Sequence, residues 1–161
     1  MMRGMENQQD MPWGIVALSV VIVLTATVFP MPSWAGWLRP EFAAITVIYW
    51  VISAPFRIGM VFAWCLGLAV DILEGAVLCQ NALGLTVLAY LSFLLHQRLR
   101  MFGLFEQASS IFVLVGIYQL IGYWVQGLTG GTYHSLAFLV PALISAILWP
   151  VFKLSFDRLR L

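Results

Sequence analysis

The chain has 161 residues, of which 62% are hydrophobic and only 9% are charged, and its formal net charge is +1. Because soluble domains carry roughly 25% charged residues, this composition excludes an ordinary soluble globular protein and indicates an integral membrane protein. Basic residues are not clustered with interleaved aromatic residues, so we expect no nucleic-acid partner.

Apolar blocks along the chain predict an all-α polytopic membrane protein with six transmembrane helices in one domain, residues 1–161. In chain order, the six blocks are 13–29, 42–54, 58–75, 82–95, 108–125 and 136–152. Pro12 suits the start of the first helix, because the amide hydrogen that proline lacks has no partner there. Several blocks are shorter than the roughly 20 residues that cross a bilayer, so we expect interfacial aromatic residues or local thinning of the membrane at their ends.

Lysine and arginine residues predict the orientation of the bundle, because they concentrate on the cytoplasmic side. With six spans, residues 1–11 form a short cytoplasmic segment, residues 153–161 form a cytoplasmic tail, and Arg39 is outside. The residues expected to set this topology are Arg57, Arg98, Arg100, Lys153, Arg158 and Arg160. A five-span chain, in which block 42–54 does not cross, satisfies the charge rule equally well. Six spans are favoured because Tyr49 and Trp50 suit an interface anchor.

A stripe of small residues distinguishes block 58–75. Small or acidic residues recur there at every fourth position, which places them along one narrow line on a helix. The stripe consists of Gly59, Ala63, Gly67, Asp71 and Gly75. Because close approach at small residues holds helices together in lipid, we expect the stripe to contact another helix, either in the same chain or in a partner protein.

Polar residues within the apolar blocks are further candidates for contacts. Asp71 and Glu74 are three residues apart and therefore neighbours on one helix face. A carboxylate at the depth of Asp71 is costly, and three roles are open: a proton or cation site, a contact with a partner helix, or a cap on the following turn. Gln119, Tyr123 and Gln126 form a polar face, which predicts an internal packing seam or a binding face for another protein.

Catalytic arrangements are not found in the sequence. A membrane serine protease needs a histidine at the depth of its serine, and no serine in the apolar blocks has one. A pair of membrane aspartates would need a second member besides Asp71, but Asp10 and Asp157 lie outside the apolar blocks. Cys65 and Cys79 are expected to be packing residues, and the spacing of cysteines and histidines predicts no metal site. We therefore expect no catalysis and no cofactor.

Short motifs spread over most of the chain, taken in order and with their spacing, resemble those of a known family. They are Arg39-Pro40-Glu41, Tyr49-Trp50, Pro55 with Arg57, Gly67-Leu68, Asp71-Ile72-Leu73 with Gly75, Ala82-Leu83, Ala89-Tyr90-Leu91, the run from His96 to Phe102, Gln107, Gln126-Gly127, Pro141-Ala142 and Leu148-Trp149-Pro150. From Arg39 onward, the chain resembles the rod shape-determining protein MreD of bacteria. Cys79 and Asn81 depart from the family pattern, in which a glycine and, in close relatives, a histidine are expected.

This resemblance implies a non-catalytic inner-membrane scaffold of the cell-wall elongation machinery, the rod complex. The implied partners are MreC, a single-span protein in direct contact, and through it the actin-like MreB, the glycosyltransferase RodA and its partner transpeptidase, besides membrane lipid. The family fold is similar to the six-helix substrate-binding subunits of vitamin transporters. The alternative function is therefore a small-molecule or ion-binding subunit of a membrane transporter.

Overall fold

The computed structural model describes residues 13–30, 32–34, 40–130 and 139–160. Within these ranges the chain forms six helices and no strand: α1 (Trp13–Val28), α2 (Phe42–Ser53), α3 (Met60–Glu74), α4 (Gln80–Met101), α5 (Leu104–Leu128) and α6 (Leu139–Arg160). The predicted all-α, six-helix architecture is confirmed. By length and composition α4, α5 and α6 suffice to cross a membrane, whereas α1 and α2 are shorter apolar helices. Residues 1–11 and Arg39, which carry topology predictions, lie outside the described residues.

Two helices extend further into charged sequence than the apolar blocks do. α4 continues through Arg98 and Arg100 to Met101, and α6 continues through Lys153 to Arg160. Charged side chains do not end a helix that emerges into water, and cations in the last turn of α4 interact favourably with its terminal carbonyl groups. The basic tail is thus an extension of α6 as far as Arg160.

The centre of the bundle is occupied by α2. Every residue from Ala43 to Val51 is buried, including the large side chain of Trp50, and all five other helices contact α2. A helix that is apolar on all sides belongs in a protein interior. With 12 residues, α2 is about 18 Å long, which is well short of the roughly 30 Å hydrocarbon layer of a bilayer.

Hydrogen bonds connect α2 to the first and last helices. Trp50 Nε1 donates to Ser19 Oγ of α1 at 3.0 Å, and the Tyr49 hydroxyl donates to Asp157 Oδ1 of α6 at 2.8 Å. Aromatic side chains reinforce the second contact, because the Phe156 ring packs against the rings of both Tyr49 and Trp50. A buried Trp or Tyr normally finds a partner for its polar group, and both do so here.

Most of the basic residues lie at one end of the bundle, and several acidic residues lie at the other. We call one the basic end, where α2, α4 and α6 finish, and the other the acidic end, where α3 finishes and α4 begins. The basic end carries Arg57, Arg98, Arg100, Lys153 and Arg158, together with the two carboxylates Glu106 and Asp157. The acidic end carries Glu41, Asp71 and Glu74.

Candidate functional site

The middle of the small-residue stripe packs against α4 of the same chain. Ala63, Gly67 and Asp71 are all buried. A Cβ atom added at Gly67 would lie 2.4 Å from Ala82 Cα and 2.8 Å from the Asn81 carbonyl oxygen. These are backbone atoms that no side-chain rotation moves aside, so only glycine permits this approach of α3 to α4.

Gly59 and Gly75 are the caps of α3 and lie outside this close contact. Gly59 is the N-cap, and Gly75 is the C-cap with a left-handed backbone at φ +63°. Glycine adopts that conformation without a steric penalty, which explains its place at the end of the helix. Among the described residues, a Cβ atom at either position would meet nothing within 4 Å, and Gly75 is exposed.

The Asp71 carboxylate binds the N-terminus of α4. Its Oδ1 accepts a hydrogen bond from the Asn81 backbone N–H at 2.9 Å, and its Oδ2 accepts one from the Ala82 N–H at 3.3 Å. The first N–H groups of a helix have no partner within the helix, and a negative charge there complements the helix dipole. Cys79, the N-cap residue of α4, makes no side-chain cap hydrogen bond, so α3 supplies the cap through Asp71. Among the described residues, these contacts of Asp71 are those of a cap on the helix that follows α3.

The Asn81 side chain joins α3, α4 and α5. Its Nδ2 donates to Glu74 Oε2 at 3.1 Å, and its Oδ1 accepts from the Tyr118 hydroxyl at 2.6 Å. Asn81 and Tyr118 are buried, whereas Glu74 is exposed. Because the buried amide has partners on both sides, it fixes the positions of the three helices relative to one another.

A second set of contacts at the acidic end ties α2 to α5 and α6. Gln119 Nε2 donates to Glu41 Oε1 at 3.3 Å, and the Glu41 N–H donates to Ser145 Oγ at 3.0 Å. Glu41 is the N-cap residue of α2, where a carboxylate is favourable. Of the predicted polar face, Gln119 is therefore buried in a contact within the chain, while Tyr123 and Gln126 are half-buried further along α5.

At the basic end, Arg100 satisfies the last carbonyl groups of α2. Its Nε and Nη2 donate to the Ile52 carbonyl oxygen at 3.0 and 2.7 Å, and Nη2 also donates to that of Ser53 at 3.1 Å. The final carbonyls of a helix lack partners within the helix, and a cation suits their partial negative charge. Arg57, Arg98 and Arg158, also predicted to set the topology, are exposed at this end; the side chain of Arg160 lies outside the described structure.

Gln107 forms the hub of the basic end. Its Nε2 donates to the carbonyl oxygens of Leu99 and Phe102, at 2.7 and 3.1 Å, which fixes the turn between α4 and α5. Its Oε1 accepts from Trp149 Nε1 at 3.2 Å and from Lys153 Nζ at 2.9 Å. The buried amide thereby uses both its donors and its acceptor, and it holds the Lys153 ammonium beside a cavity of about 260 Å³.

Several of these residues were not predicted from the sequence as site residues. Asn81, Tyr118 and Ser145 are polar groups on otherwise apolar helices, and Gln107 precedes an apolar block. A polar residue at membrane depth is itself a signal of a buried contact. Its partner lies far away in sequence, however, and the sequence alone did not identify it. In the described ranges, no three His, Cys, Asp or Glu side chains are placed to hold a metal ion.

The fold and the polar contacts define a polytopic helical membrane protein in which buried polar side chains join neighbouring helices. The family model described as rod shape-determining protein MreD matches residues 7–158, and the chain belongs to this family. It is similar to the rod shape-determining protein MreD of Haemophilus influenzae (strain ATCC 51907 / DSM 11121 / KW20 / Rd), with 24% identity over 156 residues, 97% of this chain and 96% of that protein. No solved structure matches the chain. The resemblance predicted from the sequence motifs is confirmed, and the family assigns the chain a role in determining rod shape.

Proposed function

We propose that this protein is a non-catalytic scaffold of the rod complex in the bacterial inner membrane, where it binds MreC directly and supports peptidoglycan synthesis. The family match over residues 7–158 is the observation that carries this proposal. The acidic end supports the non-catalytic part of the proposal, because the side chains of Asp71, Tyr118 and Gln119 form contacts between helices of the chain. MreB, RodA and its partner transpeptidase then join the complex through MreC.

The proposed orientation places the basic end in the cytoplasm. Arginine and lysine are enriched on the cytoplasmic side of membrane proteins, and the described cations of the chain gather at this end. With six spans, both termini are cytoplasmic and the acidic end faces the periplasm.

The proposed contact surface for MreC is the exposed face of α3, together with Glu74 and Gly75 beyond it. Because α4 covers Gly67 and Asp71, and Ala63 is also buried, a partner helix is expected on the other side of α3. On that side Val61 and Ile72 are 77% and 70% exposed. They are 11 residues apart and so lie on nearly the same side of the helix. This apolar face, ending in an exposed carboxylate and a glycine, suits the transmembrane helix of a single-span protein.

Site-specific photo-crosslinking in living cells tests this proposal. A photoreactive residue at Ile72 is expected to capture MreC. The matched control is Ile147 on α6, which is also apolar and 66% exposed. Capture from Ile147 should be several-fold weaker, because α6 lies on another side of the bundle. Equal or stronger capture from Ile147 would show that α3 is not the contact surface for MreC. Failure of MreC to co-purify with the wild-type chain would contradict the proposed scaffold function.

A further inference from the structure

A partly open cavity lies at the basic end of the bundle. It occupies about 260 Å³ between α2, α4, α5 and α6. One buried water needs only roughly 10–15 Å³ of such space. The walls combine apolar side chains, among them Trp149, with charged groups from two helices. A cavity of this size and polarity has room for a small ligand or for the polar part of a larger one.

Lys153 brings a positive charge to the cavity wall, and the acceptor that it contacts among the described residues is neutral. The half-buried ammonium donates to Gln107 Oε1, an amide oxygen, at 2.9 Å. The amide cannot turn around, because Gln107 Nε2 donates to two carbonyl oxygens. An ammonium group has three N–H donors, so this bond leaves two for other acceptors. A partly buried cation held by a neutral group is stabilised when an anion approaches.

Arg100 and Asp157 complete the charge of the wall. Arg100 directs Nε and Nη2 to the carbonyls of α2, and the Nη1 donors of its guanidinium fork are not used in those bonds. Asp157 accepts a hydrogen bond from the Tyr49 hydroxyl. Two cations therefore face one carboxylate, and the wall carries a net charge of +1.

From this cavity, its excess positive charge and the fixed ammonium, we propose that the basic end binds a phosphate group, with Lys153 as the principal contact. Phosphate accepts several hydrogen bonds and pairs strongly with ammonium and guanidinium groups. The group has two sources, the headgroup of an anionic phospholipid or free phosphate. Basic pockets between transmembrane helices at the cytoplasmic surface suit lipid headgroups. This inference does not depend on MreC binding, so either can fail without the other.

Native mass spectrometry of the full chain in detergent tests the lipid source, with phosphatidylglycerol as the anionic probe and phosphatidylcholine as the zwitterionic one. The wild type should retain phosphatidylglycerol in preference. Lys153→Gln keeps a donor for Gln107 but removes the charge, and it should weaken phosphatidylglycerol binding about tenfold or more. Lys153→Arg should bind nearly as well as the wild type. Arg158→Gln, which removes an exposed cation from the same helix, should leave binding unchanged.

Asp157→Asn provides a second test, in which phosphatidylglycerol binding is expected to become stronger instead of weaker. It removes the carboxylate of the wall but keeps an oxygen for the Tyr49 hydroxyl, so phosphatidylglycerol should bind several-fold more tightly. This variant also decides the matter if Lys153→Gln does not fold. Unchanged or weaker binding in Asp157→Asn would overturn the proposal.

Calorimetric titration with inorganic phosphate separates the two sources. Binding of free phosphate that Lys153→Gln abolishes, without retention of phosphatidylglycerol, would support the site and identify a soluble ligand. Lipid retention that depends on Lys153 without binding of free phosphate would identify the headgroup. Equal losses in Lys153→Gln and Arg158→Gln would indicate unspecific attraction and overturn the proposal, as would failure of the wild type to bind either probe.

Discussion

Charged residues serve different purposes at the two ends of the bundle. At the acidic end, Asp71 and Glu74 each accept hydrogen bonds from the beginning of α4, and Asn81 extends these contacts to Tyr118 on α5. At the basic end, Lys153 contacts an amide oxygen beside an open cavity. The described carboxylates of the acidic end are thus bound by neighbouring helices of the chain, whereas Lys153 at the basic end lies beside a cavity.

This difference distinguishes residues that stabilise the fold from residues that are available to bind a ligand. A carboxylate bound to backbone N–H groups of a neighbouring helix holds two helices together, so its removal should lower the free energy of unfolding of the bundle. A cation beside a cavity is available to a ligand, so its removal should alter binding more than folding. Substitutions at the two ends should therefore have effects of different kind and size.

The largest expected effect is at the α3–α4 contact near the acidic end. In Gly67→Ala, the new Cβ would overlap the backbone at Ala82, and the helices must separate. We expect the free energy of unfolding to fall by about 3 kcal/mol, the upper part of the range for overpacking. At about 2–4 °C for each kcal/mol in a chain of this size, thermal unfolding in detergent would detect the change.

Gly116→Ala on α5 is the matched control, because its Cβ would meet nothing described within 4 Å. It should raise stability by roughly 0.5–1 kcal/mol, since alanine favours a helix over glycine. Equal unfolding midpoints for the two variants would show that the close approach of α3 to α4 does not limit stability.

A smaller loss is expected at Asp71. Asp71→Ala leaves two N–H groups at the start of α4 without their acceptor and should lower the free energy of unfolding by about 2 kcal/mol. Asp71→Asn retains one carbonyl oxygen and should lose about half as much. Thermal unfolding of both variants in the same detergent provides the measurement, and an Asn variant as unstable as the Ala variant would assign the effect to charge.

The smallest loss is expected at the basic end. Arg100→Gln weakens the bonds to the last carbonyls of α2 and should lower the free energy of unfolding by about 1 kcal/mol, because these bonds are exposed to solvent. Arg98→Gln, an exposed change on the same helix, should have no measurable effect. A loss for Arg100→Gln above that for Asp71→Ala, again by thermal unfolding, would reverse the contrast between the two ends.

The sequence predicted the helices better than it predicted their ends. Apolar blocks of near-spanning length have few alternatives to a helix in lipid, because every backbone group must find a partner within its segment. The positions of the helix ends depend on where the membrane–water interface lies along the chain. The apolar block 82–95 therefore stopped short of Arg98 and Arg100, which the structure includes in α4.

Prediction of the candidate site was limited by long-range contacts. The stripe containing Gly67 was visible because small residues recur at helical spacing. Identifying α4 as the helix in contact with the stripe required the structure. Glu41 and Ser145, which bond across 104 positions, could not be paired from the sequence, since each has many possible partners before the helices are assembled.

The placement of α2 also determines how the protein responds to its membrane. A helix of 12 residues, surrounded by the five others, has little or no contact with acyl chains. Changes in bilayer thickness therefore act on the surrounding helices, which can tilt or adjust their interfacial residues. The central helix keeps its length and the bonds from Arg100 to its last carbonyl groups, so the centre of the bundle does not depend on the thickness of the bilayer.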